Sequence, residues 1–180
     1  MLSDLLYSLR DTEFLFNLFG YISFRSGLSL ITSFFIVLIL MPYWIKIQLR
    51  IFPSGQPIRN DGPKTHYHKK GTPALGGVLI LFAIIISSIL WTSNFSSFNY
   101  ILLLTLILFG LIGFFDDFQK VKLGRGVSTK TKFLFQLLAT LIIYLTIKYN
   151  GFDLNKFSIP FLKNVSIELG YFYFILILLI

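Results

Sequence analysis

Long apolar runs, separated by polar connections of unequal character, organise this chain. A helix needs about 20 apolar residues, at about 1.5 Å rise each, to cross the hydrocarbon core of a bilayer. Leu28 to about Ile45 is the first such run, its end marked by Pro42, Trp44 and Lys46. Ala74–Trp91 is the second, opening on Gly76-Gly77 and closing on an interfacial-type Trp. Phe98–Phe115 is the third and Phe133 to about Ile147 the fourth. Leu169–Ile180 begins a fifth but is too short to cross. Helix-end carbonyls find no partners in lipid, so residues 1–180 read as a single membrane domain truncated within its fifth transmembrane helix. The stretch before Leu28 mixes Phe14, Leu15, Phe16, Leu18 and Phe19 with charges. It reads as a lead-in to the first span, with an interfacial amphipathic helix as the alternative.

Composition agrees with this pattern. Hydrophobic residues make up 55% of the chain and charged ones 13%, where a soluble domain carries about 25% charge. The expected fold class is all-α, a polytopic transmembrane helical bundle. The absence of cysteine excludes disulfides, thiolate metal sites and cysteine nucleophiles.

The net charge of +8 becomes informative once it is located. One loop carries Lys46, Arg50, Arg59, Lys64, Lys69 and Lys70, and another carries Lys120, Lys122, Arg125, Lys130 and Lys132. Thr92–Ser97 has no charge, and Asn150–Glu168 holds only Lys156 and Lys163 against Asp153 and Glu168. The positive-inside rule therefore predicts an outside N-terminus and two cytoplasmic basic loops. Nucleic-acid binding is excluded by this placement, because the positive residues are anchored at a membrane. An ion channel or transporter would spread polar residues through several spans, whereas here the ionisable groups gather at one face.

Two segments carry candidate chemistry. Gly113-Phe114-Phe115-Asp116-Asp117-Phe118-Gln119-Lys120 ends the third span. Carboxylates at a membrane boundary are costly, adjacent ones repel each other, and a helix C-terminus adds a negative dipole end. Such a pair calls for a compensating cation, either Mg²⁺ with a phosphate ligand or the nearby Lys120 and Lys122. The alternative is a solvated boundary marker paired with lysines. The second segment runs from Gly55 through Arg59, Lys64, His66, His68, Lys69, Lys70 and Thr72 to Gly76-Gly77. Its prolines and glycines prevent regular helix, and its Arg, Lys and Thr donors suit phosphate oxygens. Gly76 and Gly77 would let a ligand or a neighbouring helix approach the backbone, at a helix N-terminus that presents free N–H groups to an anion. The two histidines, two residues apart in a loop, read as exposed rather than as metal ligands.

The run GQPIRNDGPKTHYHKKGTPALGG, together with GFFDDFQKVK and Thr129-Lys130-Thr131-Lys132 ahead of Gln136, resembles the phospho-N-acetylmuramoyl-pentapeptide transferase family. The resemblance covers nearly the whole chain. It implies a ten-helix fold of which about five spans are present here. It also implies transfer of phospho-MurNAc-pentapeptide from UDP-MurNAc-pentapeptide to undecaprenyl phosphate, giving lipid I and UMP, with Mg²⁺, at the bacterial inner membrane. Asp116 and Asp117 match the catalytic positions; Lys69, Thr72, Gly76, Gly77, Lys120 and Lys132 match substrate-binding ones. Membrane lipid is an implied partner, and a homodimer is left open. The family's Thr-Pro-Thr-Met-Gly-Gly is Thr72-Pro73-Ala74-Leu75-Gly76-Gly77 here, without the second hydroxyl. Its principal metal-ligating aspartate belongs to its C-terminal half, so no metal ligand is assigned on these residues. The other function class to weigh is a catalytically inactive fragment, or a split half of that enzyme.

Overall fold

A computed structural model of the chain describes residues 1–53, 73–152, 156–158, 166–168, 170–172 and 175. Its helices are α1 (Leu2–Ser8), α2 (Ile22–Ile51), α3 (Gly76–Trp91), α4 (Ser97–Leu123) and α5 (Thr129–Tyr149). The only strands among the described residues are β1 (Lys156–Ser158) and β2 (Ser166–Glu168), paired antiparallel with Phe157 opposite Ile167. The fold class is all-α as expected; the small hairpin falls in a segment the sequence pattern left as loop. Three residues per strand are too few for a hydrophobic period to show.

Three helices, α2, α4 and α5, are long and apolar enough to cross a membrane, and α3 is a shorter apolar helix. Their outward faces carry large side chains, among them Leu30, Phe34, Phe35, Leu38 and Ile39. The most apolar stretches of α2 and α4 are 0% and 6% buried. Burying such a side chain is worth about 1.5–3 kcal/mol relative to leaving it in water, so these faces call for an apolar surrounding, lipid or further apolar helices. The sequence-expected fifth span falls largely outside the described residues, which show there a 3-10 turn at Gly170–Phe172 and a helical Ile175.

The helix ends differ from the sequence expectation in instructive ways. Helix α2 continues through Pro42 to Ile51, because proline removes one backbone donor without preventing the turns that follow it. Before α2, the mixed stretch forms separate pieces, α1 and 3-10 turns at Leu9–Asp11 and Phe14–Gly20. Helix α4 runs beyond Asp117 to Leu123 and stops at Gly124, whose φ of 74° suits glycine. The aspartates therefore sit inside the helix rather than at its negative end, and Lys120 and Lys122 occupy the last turn, where the dipole favours cations.

The chain divides into two compact units, Met1–Ser96 with Gly113–Val127, and Ser97–Ile112 with Ser128–Ile180. In the first, α2 and α3 pair along a stripe on α3 of Leu79, Ala83 and Ser87, all buried and four residues apart. Two tryptophans pin the pair: Trp91 Nε1 donates to Thr32 Oγ1 at 2.9 Å, and Trp44 Nε1 donates to the Leu75 carbonyl at 2.9 Å. The second unit buries Ala139, Thr140 and Ile143 on α5, and Phe98 meets Phe152 at 6.3 Å between ring centroids.

Candidate active site

The aspartate cluster lies in the first unit and is built mainly by helix register. Residues three and four apart on a helix are neighbours, so Lys120 stands between Asp117 and Asp116. Its Nζ is 2.9 Å from Asp116 Oδ2 and 3.0 Å from Asp117 Oδ1. One ammonium thus bridges two carboxylates that would otherwise repel, as the lysine compensation read from the sequence requires. Lys122 turns elsewhere, with its Nζ 5.8 Å from the centroid of Phe118, within cation–π range.

The two carboxylates have different surroundings. Asp116 is buried, 8% exposed, and its Oδ1 accepts the Val127 backbone N–H at 3.0 Å. The chain returns to it because Gly124 ends α4 and Gly126 packs against the carboxylate. A Cβ added to Gly126 would lie 2.6 Å from Asp116 Oδ1. Asp117 leaves 42% of its side chain exposed. Buried Asp116 is thus fixed to the loop that follows α4, and Asp117 is the carboxylate open to an incoming group.

Aromatic packing holds this end of α4 in place. Phe118 meets Phe52, just past α2, edge-on at 5.9 Å, and Phe114 at 5.8 Å. Beside them α2 clamps the entry of α3: Gln48 Oε1 accepts the Leu75 N–H at 3.1 Å, and Trp44 holds the Leu75 carbonyl as above. A small cleft lined by Gln48, Phe52, Leu75 and Val121 separates this clamp from the end of α4.

Gly76 and Gly77 follow Leu75 as the first residues of α3. Among the described residues a Cβ at either would meet nothing within 4 Å, so no described helix crowds the backbone there. Lys69 and Thr72, with His66 and His68, lie outside the described residues. Lys132 belongs to the second unit, in the first turn of α5. That turn is capped by Ser128, whose Oγ accepts the Thr131 N–H at 3.2 Å. Lys130 in the same turn is exposed and Lys132 half-buried.

Sequence reasoning missed Gly126, Val127, Trp44 and Gln48. The Gly124-Arg125-Gly126 spacing was a legible signal for a tight return after α4. Nothing in the pattern of α2 marked Gln48 as a backbone clamp.

As arranged, the cluster does not fit Mg²⁺. Lys120 already takes the place between the two carboxylates. No group of three or more potential metal-holding side chains is gathered among the described residues.

Residues 99–180 match the family model described as glycosyl transferase family 4. Among similar proteins, the phospho-N-acetylmuramoyl-pentapeptide-transferase of Desulforapulum autotrophicum is 44% identical over 96% of this chain and 48% of its own length. That of Desulfotalea psychrophila is 39% identical over 97% and 49%, and that of Rickettsia prowazekii 40% identical over 97% and 49%. Over nearly its whole length the chain is similar to the N-terminal half of these phospho-N-acetylmuramoyl-pentapeptide-transferases. It spans about half the length of these curated relatives.

Proposed function

We propose that the chain supplies the aspartate-bearing half of a transferase of peptidoglycan synthesis. The reaction is transfer of phospho-MurNAc-pentapeptide from its UDP carrier to undecaprenyl phosphate, with formation of lipid I and release of UMP. The observation that carries this reading is the Asp116–Lys120–Asp117 cluster, set in a chain 38–44% identical to relatives bearing that enzyme's name. The reaction asks the protein to align two phosphates and to neutralise charge that grows on the diphosphate. Asp117, the exposed carboxylate, is assigned to contact with the lipid phosphate acceptor. Asp116 is a positioning residue that holds Lys120 and the loop after α4. The N-terminus of α3 at Gly76-Gly77 and the Lys130/Lys132 turn of α5 offer donors to phosphate oxygens, with Lys69 and Thr72 in the same role by family resemblance.

Mg²⁺ dependence is part of the family reading, and no step is routed through the ion here. In the membrane, the positive-inside rule puts the N-terminus outside and the aspartates at the cytoplasmic face of a bacterial inner membrane. A second reading rests on the relatives' length. With about half of it spanned, the 180-residue chain by itself is silent and turns over only when joined to the matching C-terminal half. Fusion of residues 1–180 to the C-terminal half of the Desulforapulum autotrophicum relative tests both readings. Lipid I formation and UMP release by the fusion, with neither from the chain alone, is the expected result. No product from a correctly inserted fusion would refute the assignment.

A further inference from the structure

The first unit holds a second polar site, independent of the transfer reading, at the opposite end of α2. It is a cavity of about 510 Å³, walled by α1, the turns after it, the first turn of α2 and Ser93-Asn94 beyond α3. Its volume lies within the range of about 300–1,000 Å³ usual for small-ligand pockets. From Arg25 to Gln48, α2 rises about 35 Å at about 1.5 Å per residue. That exceeds the hydrocarbon thickness of about 30 Å. With the aspartate end at one face of the bilayer, the cavity falls at headgroup level on the other.

Two polar groups that line it, Arg25 Nε and Ser3 Oγ, have no partner among the described residues. Arg25, in the first turn of α2, has its Nε buried without a hydrogen-bond acceptor, and no carboxylate among the described residues pairs with it. A buried donor left unmet is costly, and more so when charged. Ser3 is fully buried, lines the same cavity, and its Oγ is also without a partner. The N-terminus of α2 adds to this: Tyr21 supplies no side-chain cap and the first turn has no acid. Its free N–H groups and positive dipole end therefore reinforce the Arg25 charge. The two carboxylates in the cavity wall are already answered. Asp4 lies 2.6 Å from the Met1 ammonium, and Asp11, 89% exposed, lies 3.8 Å from Arg10. Arg10 is held in turn by the Tyr7 hydroxyl, to which its Nη1 donates at 2.6 Å. At the rim Asn94 adopts a φ of 46°, a left-handed conformation that asparagine tolerates better than most residues.

We propose that this cavity binds a phosphate-class anion, with the Arg25 guanidinium as principal partner and the Ser3 hydroxyl and the α2 N-terminus as further donors. Two sources share that chemistry at headgroup depth, a phospholipid phosphodiester and free inorganic phosphate.

Phenylglyoxal labelling of the full chain, read at Arg25 against the exposed Arg125 by peptide mass spectrometry, separates them. One arm adds inorganic phosphate in detergent at constant ionic strength. The other compares nanodiscs of phosphatidylglycerol with nanodiscs of a phosphate-free galactolipid. Selective slowing at Arg25 of about tenfold, as expected for a charge-assisted contact, supports the site. Slowing in the first arm assigns free phosphate, and slowing in the second alone assigns lipid. Equal behaviour of Arg25 and Arg125 in both arms overturns the proposal. Arg25→Gln gives a second check: phosphate should raise the Tm of the parent chain but not of this variant, and a shift that persists would also overturn it.

Discussion

The two ends of the first unit handle buried charge in opposite ways. Around Asp116, Lys120 lies within 3.0 Å of both carboxylates and the returning loop supplies a backbone donor. Around Arg25, a buried guanidinium nitrogen and a buried hydroxyl beside a cavity have no partner among the described residues. The partners at the first end come from the same helix and the loop directly after it, where register alone brings them together. At the second end any protein partner would have to come from distant segments, and the nearby carboxylates are engaged elsewhere. A self-contained charge cluster can be preorganised for chemistry before anything binds. An unanswered charge beside an open cavity is an arrangement for a ligand.

The comparison breaks most decisively at Asp117. In the fusion protein, Asp117→Asn should lower the transfer rate by about 10²–10³-fold with membrane insertion and Tm preserved. Asp116→Asn should lower both rate and Tm, since it loosens Lys120 and Val127 together; a pure rate effect there would remove its positioning role. Lys120→Met removes the cation shared by the two carboxylates and should cost about 1–3 kcal/mol, seen as a lower Tm in detergent. Lys132→Ala should raise the KM for the UDP-linked substrate by about tenfold, the scale of one charge-assisted phosphate contact, with a smaller effect from Lys130→Ala. Equal effects would show that the half-buried and the exposed lysine do the same work. The smallest loss is at the other end: Arg25→Gln in phosphate-free detergent should not lower the Tm, because it removes a buried donor that has no partner among the described residues to lose. A loss as large as that of Lys120→Met would mean Arg25 is already paired.

The apolar runs were legible because spanning helices need long uninterrupted stretches, and four of them became α2 to α5. Their ends were less so. The pattern stopped the third span at Phe115, yet α4 continues to Leu123, because good helix formers carry on until Gly124 and a bilayer boundary is not a helix boundary. Asp116 and Asp117 stood out as charges beside an apolar run, and Lys120 as a nearby cation. That one lysine would bridge both depended on side-chain directions, and the burial of Asp116 on the return of Gly126 and Val127. The Arg25 cavity was not legible at all, since it joins α1, α2 and the end of α3 across long sequence separations.

The most direct test is lipid I synthesis by the fusion, measured as transfer of radiolabelled phospho-MurNAc-pentapeptide into butanol-extractable lipid, for the parent and for Asp117→Asn in equal inserted amounts. The account predicts labelled lipid from the parent and a loss of about 10²-fold or more in the variant. A near-normal rate in the variant would contradict the assignment of this carboxylate to the reacting phosphate.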